Sequence, residues 1–173
     1  GCLLLAFDRE TASALGKTLM SSEVDKEYLT VCRGWPQEAF TIDYPLDGGP
    51  GKPVKKPAVT HFTRVATGEL PVPSAGFETS RYALLRCTLE TGRFRQIRRH
   101  LKHCFHHMIG DTSHGDGRHK LQFSMSDENR MLLHDSRLAF TNPMSGERIE
   151  AVAPLDAEFL KVYALFGWDS QNL

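Results

Sequence analysis

Behind Asp8, apolar residues recur at helical spacing: Ala12, Leu15 and Leu19 share one face, and Ser21-Ser22 closes the stretch. Asp8 has the short carboxylate of an N-cap, so the pattern predicts a helix from Asp8 to Ser22. The period then drops to two. From Lys26 to Arg33, Leu29 and Val31 point one way and Tyr28, Thr30 and Cys32 the other, a strand that Gly34 stops. Phe40 to Tyr44 predicts a second short strand. Four prolines, three glycines and three lysines between Pro45 and Pro57 exclude regular structure and predict an exposed, mobile, basic loop. Strand patterning resumes at Val59, His61, Phe62 and Val65, so the loop is no domain boundary.

Gly68 to Gly76 reads as irregular and leads into a strand over Arg81 to Leu89. Ile97 and Leu101, four apart, mark the buried side of a helix from Arg93 to His103. His106 to Lys120 is rich in turn residues, and Met131 to Phe140 reads as a strand. The turn Asn142 to Gly146 joins that strand to Arg148 to Val152 in a hairpin. Phe159, Leu160, Tyr163 and Phe166 form the apolar side of a last helix, Asp156 to Phe166. About seven strands and three helices in mixed order predict an α+β fold with a mostly antiparallel sheet.

With 173 residues, 40% of them apolar, the chain is expected to form one domain over residues 1–173, and a monomer is favoured. It contains no uncharged apolar run long enough to cross a membrane, and its start lacks the marks of a signal peptide. Cys2, Cys32, Cys87 and Cys104 show no paired spacing, which predicts reduced thiols and a cytoplasmic location.

Lysines and arginines number 21, as do the acids, so net charge points to no partner. Their distribution does. Between Arg86 and Lys120, eight basic residues meet three acids, a local excess of +5 balanced by −5 elsewhere, and six of the eight histidines fall in the same window. Arg93, Arg95, Arg98 and Arg99 lie within seven positions, and Lys102, Arg118 and Lys120 extend the set. Such a field suits a phosphate backbone, the alternative being a solvated helix face.

His100, His103, His106 and His107 raise the possibility of a zinc-dependent hydrolase. No acid lies among them to serve as a base, and the neighbouring guanidinium groups would repel a cation, so packing and phosphate contact are the expected roles. Ser113-His114 and Ser136 lack the glycine frame of an activated nucleophile, and Cys104 near His103 is equally compatible with a buried thiol. Tyr28, on the face opposite Leu29 and beside Lys26, either packs or offers its ring to a planar ligand.

Four ordered motifs stand together: Lys26-x-Tyr28, Gly92-Arg93-x-x-Gln96-Ile97-Arg98-x-His100-Leu101, Ile109-Gly110-Asp111 and Leu132-Leu133-His134. This set resembles the RluA family of pseudouridine synthases. The run from Arg98-Arg99 to His114-Gly115-Asp116 is similar to the family's tRNA-specific branch, as is the close with Asn142-Pro143 and Gly146-Glu147. The resemblance implies a bent antiparallel sheet and the isomerisation of a uridine, in tRNA by preference, with no metal, nucleotide or redox cofactor. It implies that Arg98 pairs with a nucleophilic aspartate and that Tyr28 stacks on the everted base and accepts the C5 proton. Leu132 or Leu133 would line the base pocket, while Arg93, Arg95, Arg99, His100, Lys102, Arg118 and Lys120 would contact RNA.

Two departures accompany the resemblance. The family's aspartate belongs to a His-Arg-Leu-Asp-Arg-x-Thr-Ser-Gly stretch whose end Gly1 resembles, so the nucleophile is expected just before this chain begins. Asp8, a helix cap, is not that residue. Phe94-Arg95 stands where the family has a small or polar residue and then histidine. The rival readings are a non-catalytic RNA-binding module and the histidine-cluster hydrolase.

Overall fold

A computed structural model of the chain describes residues 1–21, 23–73, 76–115 and 130–169. The described elements are α1 (Arg9–Met20), β1 (Asp25–Arg33), β2 (Ala39–Asp43), β3 (Val59–Leu70), β4 (Ser80–Leu89), α2 (Gln96–His103), β5 (Leu133–Thr141), β6 (Arg148–Val152) and α3 (Ala157–Phe166). The strands join in one six-stranded sheet of order β2-β3-β4-β1-β5-β6, and every neighbouring pair is antiparallel. The expected α+β class therefore holds. Among the described residues there are six strands where about seven were expected. No helix among them is long and apolar enough to cross a membrane.

Alternation along the strands divides the interior in two. Leu29 and Val31 of β1, with Tyr82 and Leu84 of β4, face α3 and pack against Phe159, Val162 and Tyr163. Cys32 of β1, with Ala83, Leu85 and Cys87 of β4, faces the other way and packs against Ile97 and Leu101 of α2. Tyr28 and Leu133 lie against this second cluster. Full burial of a side chain the size of Ile97 or Leu101 contributes roughly 1.5–3 kcal/mol, which holds α2 to the sheet despite its run of cations. A third, smaller cluster joins Leu15 of α1 to Val24, Leu138 and Phe140.

Both long terminal helices begin as their sequence suggested. Asp8 accepts a hydrogen bond from the Thr11 N–H at 2.7 Å, and Asp156 accepts from Glu158 and Phe159 at 3.1 Å. On α3, however, Leu160 is exposed and Val162 takes the inward position.

Gly68 marks the clearest departure from the expected boundaries. It lies inside β3, which runs on to Leu70, rather than opening an irregular segment. A Cβ at this position would overlap the Phe166 ring of α3, so the glycine lets helix and sheet approach closely. The 45–57 loop also differs from expectation. Leu46 is buried and pairs with Lys56, and Asp47 reaches α2, so the loop is moored although its lysines are exposed.

Candidate active site

Arg95 precedes α2 with φ at 52° and makes no side-chain cap. Gln96 does that work from inside the helix. Its Oε1 accepts from the Arg93 N–H at 3.0 Å and from the Thr91 hydroxyl at 2.8 Å, while its Nε2 donates to the Val59 carbonyl and Thr60 Oγ1, both at 2.9 Å. One buried amide thereby ties the start of α2 to β3, and the helix begins at Gln96 rather than Arg93.

His100 continues the same network. Its Nε2 donates to the Tyr44 carbonyl at 3.0 Å, which leaves Nδ1 to accept from the Thr60 hydroxyl at 2.9 Å. Burial pushes its pKa down and keeps the ring neutral. The expected RNA contact of His100 is thus corrected: a fully buried imidazole with both nitrogens engaged is a core group.

Arg98 projects from the next position of α2 and grips the Gly-Asp turn. Nε donates to Asp111 Oδ2 and Nη2 to Oδ1, each at 2.7 Å. Oδ1 also accepts from the Ser113 and His114 N–H groups at 2.9 Å. The Asp111 side chain is 0% exposed and that of Arg98 15%. Burial works against ionisation of Asp111, yet the Arg98 hydrogen bonds and the two backbone donors outweigh it and hold the carboxyl down to about 2. An acidic mate for Arg98 was expected from outside the chain; the described residues provide one within it. Two of the five guanidinium hydrogens are taken by Asp111, and among the described residues those left on Nη1 and Nη2 remain for a further acceptor.

The turn itself depends on Gly110. Its φ is 77°, and a Cβ there would overlap the Arg130 carbonyl oxygen. This contact sets the turn, and with it Arg98, beside the segment that becomes β5.

A second group of polar side chains gathers at Tyr28. A bulge interrupts the β1–β5 pairing between Glu27 and Tyr28 and places Tyr28 opposite Asp135. Burial pushes the phenol pKa far up, and the facing Asp135 carboxylate adds to the rise. The Asp135 carboxyl is itself raised by burial against the opposing effects of Tyr28, His134 and Lys26. Lys26 Nζ donates to the Leu19 carbonyl. The amino end of the chain meets the same place, the Cys2 N–H donating to the Asp135 carbonyl at 2.8 Å. Leu133 packs on the cluster that holds Tyr28, whereas Leu132 is buried in the opposite core with Phe159. Leu132 is therefore corrected from pocket wall to α3-side core, because adjacent strand residues point to opposite faces.

Of the residues expected to contact RNA, Arg95 and Lys102 are exposed. Arg95 lies over the Phe94 ring, 4.9 Å from its centre. Arg99 is held by Asp47 through its side chain at 2.8 Å and its carbonyl at 2.9 Å, and Arg93 Nε donates to the Pro57 carbonyl at 3.0 Å. These two arginines thus also moor the proline-rich loop. Arg118 and Lys120 lie outside the described residues. The remaining clustered histidines have separate partners. His103 stacks on Tyr44 at 3.8 Å, His106 bonds to the Arg33 carbonyl and His107 to the His114 carbonyl, each at 2.9 Å. Among the described residues no three His, Cys, Asp or Glu side chains converge on a metal position.

Sequence reasoning did not anticipate Asp111 as the Arg98 partner, Asp135 as the Tyr28 partner or Thr60 as the hub of the buried network. The Gly110-Asp111 pair was visible as a motif, and a lone acid after Leu132-Leu133-His134 was a signal that alternation could have placed on the Tyr28 face.

The model of one protein family, described as RNA pseudouridylate synthase, matches residues 1–103. A tRNA pseudouridine synthase C from Pectobacterium carotovorum is 38% identical over 181 residues, covering 97% of this chain and 47% of that protein. One of the same name from Vibrio parahaemolyticus is 35% identical, covering 99% of this chain and 74% of its own length. The chain therefore spans about half of the first relative and about three quarters of the second. Among solved structures, human RNA pseudouridylate synthase domain containing 1 superposes with a TM-score of 0.66 at 19% identity, over 92% of this chain and 72% of that one. That likeness concerns the fold.

Proposed function

This chain belongs to the RNA pseudouridylate synthase family, and from that premise we propose that it isomerises a uridine to pseudouridine in RNA, with tRNA as the substrate class. The reaction breaks the glycosidic bond, turns the base and joins C5 to the sugar. The observation that carries the reading is the meeting of Tyr28, Asp135 and the amino end of the chain on one side of the sheet. The family's nucleophilic aspartate belongs to a motif upstream of the matched residues, and the amino end of this sequence meets the strand that faces Tyr28.

The residues have distinct parts in this reading. Tyr28 offers a half-buried ring on which an everted uracil stacks; stacking supplies about 1–3 kcal/mol per base, which offsets much of the cost of extrusion. Leu133 borders the same face. Arg98, immobilised by Asp111, presents its remaining donors to the nucleophilic carboxylate and keeps it ionised. Arg95 and Lys102 attract the backbone, positioning the RNA while the pocket selects the base. All four cysteines are free thiols.

Incubating the intact protein with unmodified tRNA and analysing the nucleosides by chromatography with mass spectrometry tests the proposal. Pseudouridine should appear at the expense of uridine. Tight tRNA binding without any new pseudouridine would replace the enzyme by an RNA-binding module.

A further inference from the structure

The Tyr28 hydroxyl raises a chemical problem that Asp135 answers. A neutral phenol that receives a proton from carbon must release its own proton at the same time, or it becomes a high-energy oxonium. Burial keeps Tyr28 in that neutral form. A base must therefore stand behind the hydroxyl, on the side away from the substrate.

Asp135 is the carboxylic acid that faces Tyr28 across the strand pair. It is the direct cross-strand partner of Tyr28, at the bulge that sets the tyrosine's register on β1, and antiparallel partners project to the same face. Its backbone is fixed on both sides. Cys2 donates to its carbonyl at 2.8 Å, and the neighbouring Ser136 hydroxyl donates to the Glu27 carbonyl at 2.9 Å across the same strand pair. Its Oδ1 is buried, and among the described residues that oxygen has no hydrogen-bond donor. A buried carboxylate oxygen without a partner is costly, and its retention points to use. Asp111, by contrast, accepts four hydrogen bonds from Arg98 and the turn, and is held too acidic to take a proton. Burial makes Asp135 the more basic of the two.

We infer that Asp135 is a positioning residue for Tyr28 that takes the phenol proton while the phenol oxygen takes the C5 proton of the reattached uracil. The inference rests on the isomerase reading above. In this step the C5–H bond breaks and its electron pair closes the C5–C6 double bond. The proton goes to Tyr28 Oη, and the original hydroxyl proton moves to the Asp135 carboxylate. Asp135 later loses it to water while N1 of the base gains one, so the numbers of protons in substrate and product agree.

The test uses Asp135→Asn in the intact protein, with tRNA transcripts carrying tritium or deuterium at uracil C5. Tritium release should fall about a hundredfold in kcat, the scale of losing one proton-transfer partner, with KM for tRNA unchanged. A primary deuterium isotope effect, small in the wild type, should grow because C5 proton loss becomes slow. Asp135→Glu, which keeps a carboxylate, should recover part of kcat. A kcat within twofold of wild type overturns the relay, as does a loss that enters KM or leaves the isotope effect unchanged. If Asp135→Asn fails to fold by its thermal transition, Asp135→Ser carries the same expectations. No tritium release from the wild-type protein would instead overturn the isomerase reading, and the relay with it.

Discussion

Arg98 and Asp111 form the most consequential pair of side chains in the described structure. A buried ion pair contributes little net stability when compared with apolar residues of equal volume, yet removing one partner leaves an uncompensated charge. Arg98→Ala should therefore destabilise the fold by about 3 kcal/mol in denaturant titrations. The double variant Arg98→Ala with Asp111→Asn should recover part of that loss, because the orphaned charge is gone. Acid titration reports the same pair. The Asp111 carboxyl falls from 3.8 to about 2 on folding, so the native state binds this proton more weakly than the unfolded chain. Its stabilisation, about 2 kcal/mol, is complete above about pH 4 and disappears as the pH falls through about 2. In Asp111→Asn that part of the acid-unfolding curve should flatten.

At the scale of elements, two glycines give opposite expectations for the same substitution. Gly16 sits in the middle of α1 with open space around its missing Cβ, so Gly16→Ala should raise stability by roughly 0.5–1 kcal/mol through helix propensity alone. Gly110 has φ at 77° and backbone atoms of Arg130 and Met131 where a Cβ would go. Gly110→Ala should displace the turn, release Asp111 from Arg98 and lower the melting temperature steeply. Thermal unfolding of the two variants side by side checks both. The α2 helix follows the same logic. Its eight residues lack an acidic first turn, and it persists because Gln96, His100, Ile97 and Leu101 are committed to the sheet.

Across the whole molecule, both faces of the sheet carry an apolar core. The side under α3 is closed by Phe159, Val162 and Tyr163, while the side under α2 joins its core to an arginine-bearing helix and the Tyr28–Asp135 pair. Within the basic window, exposure decides which cations are available to RNA. Lys102 is exposed on α2, whereas Arg99 is already held by Asp47. Lys102→Ala should reduce the slope of log affinity for tRNA against log salt by about one, uniformly across tRNA sequences. Salt-dependent binding measurements on the intact protein read this directly; an unchanged slope would place the RNA on another surface.

Most of the architecture was legible along the chain because its signals are local. Period-two stretches became β1, β4 and β5, the Asp8 and Asp156 caps started their helices, and Ile97 with Leu101 oriented α2. The motif residues Arg98 and Tyr28 could be singled out without coordinates. Their partners could not. Asp111 meets Arg98, Asp135 meets Tyr28, and Thr60 meets His100 only through strand register, a bulge and a glycine turn that bring separated segments together. The place of Gly68 inside β3 is hidden for the same reason, since its need for space comes from a ring on α3. Side-chain type and spacing determined which elements form and which face of each is apolar. The pairing of charges was decided by tertiary structure, because a hydrogen bond depends on distances of a few ångströms between residues whose separation in sequence carries no such information.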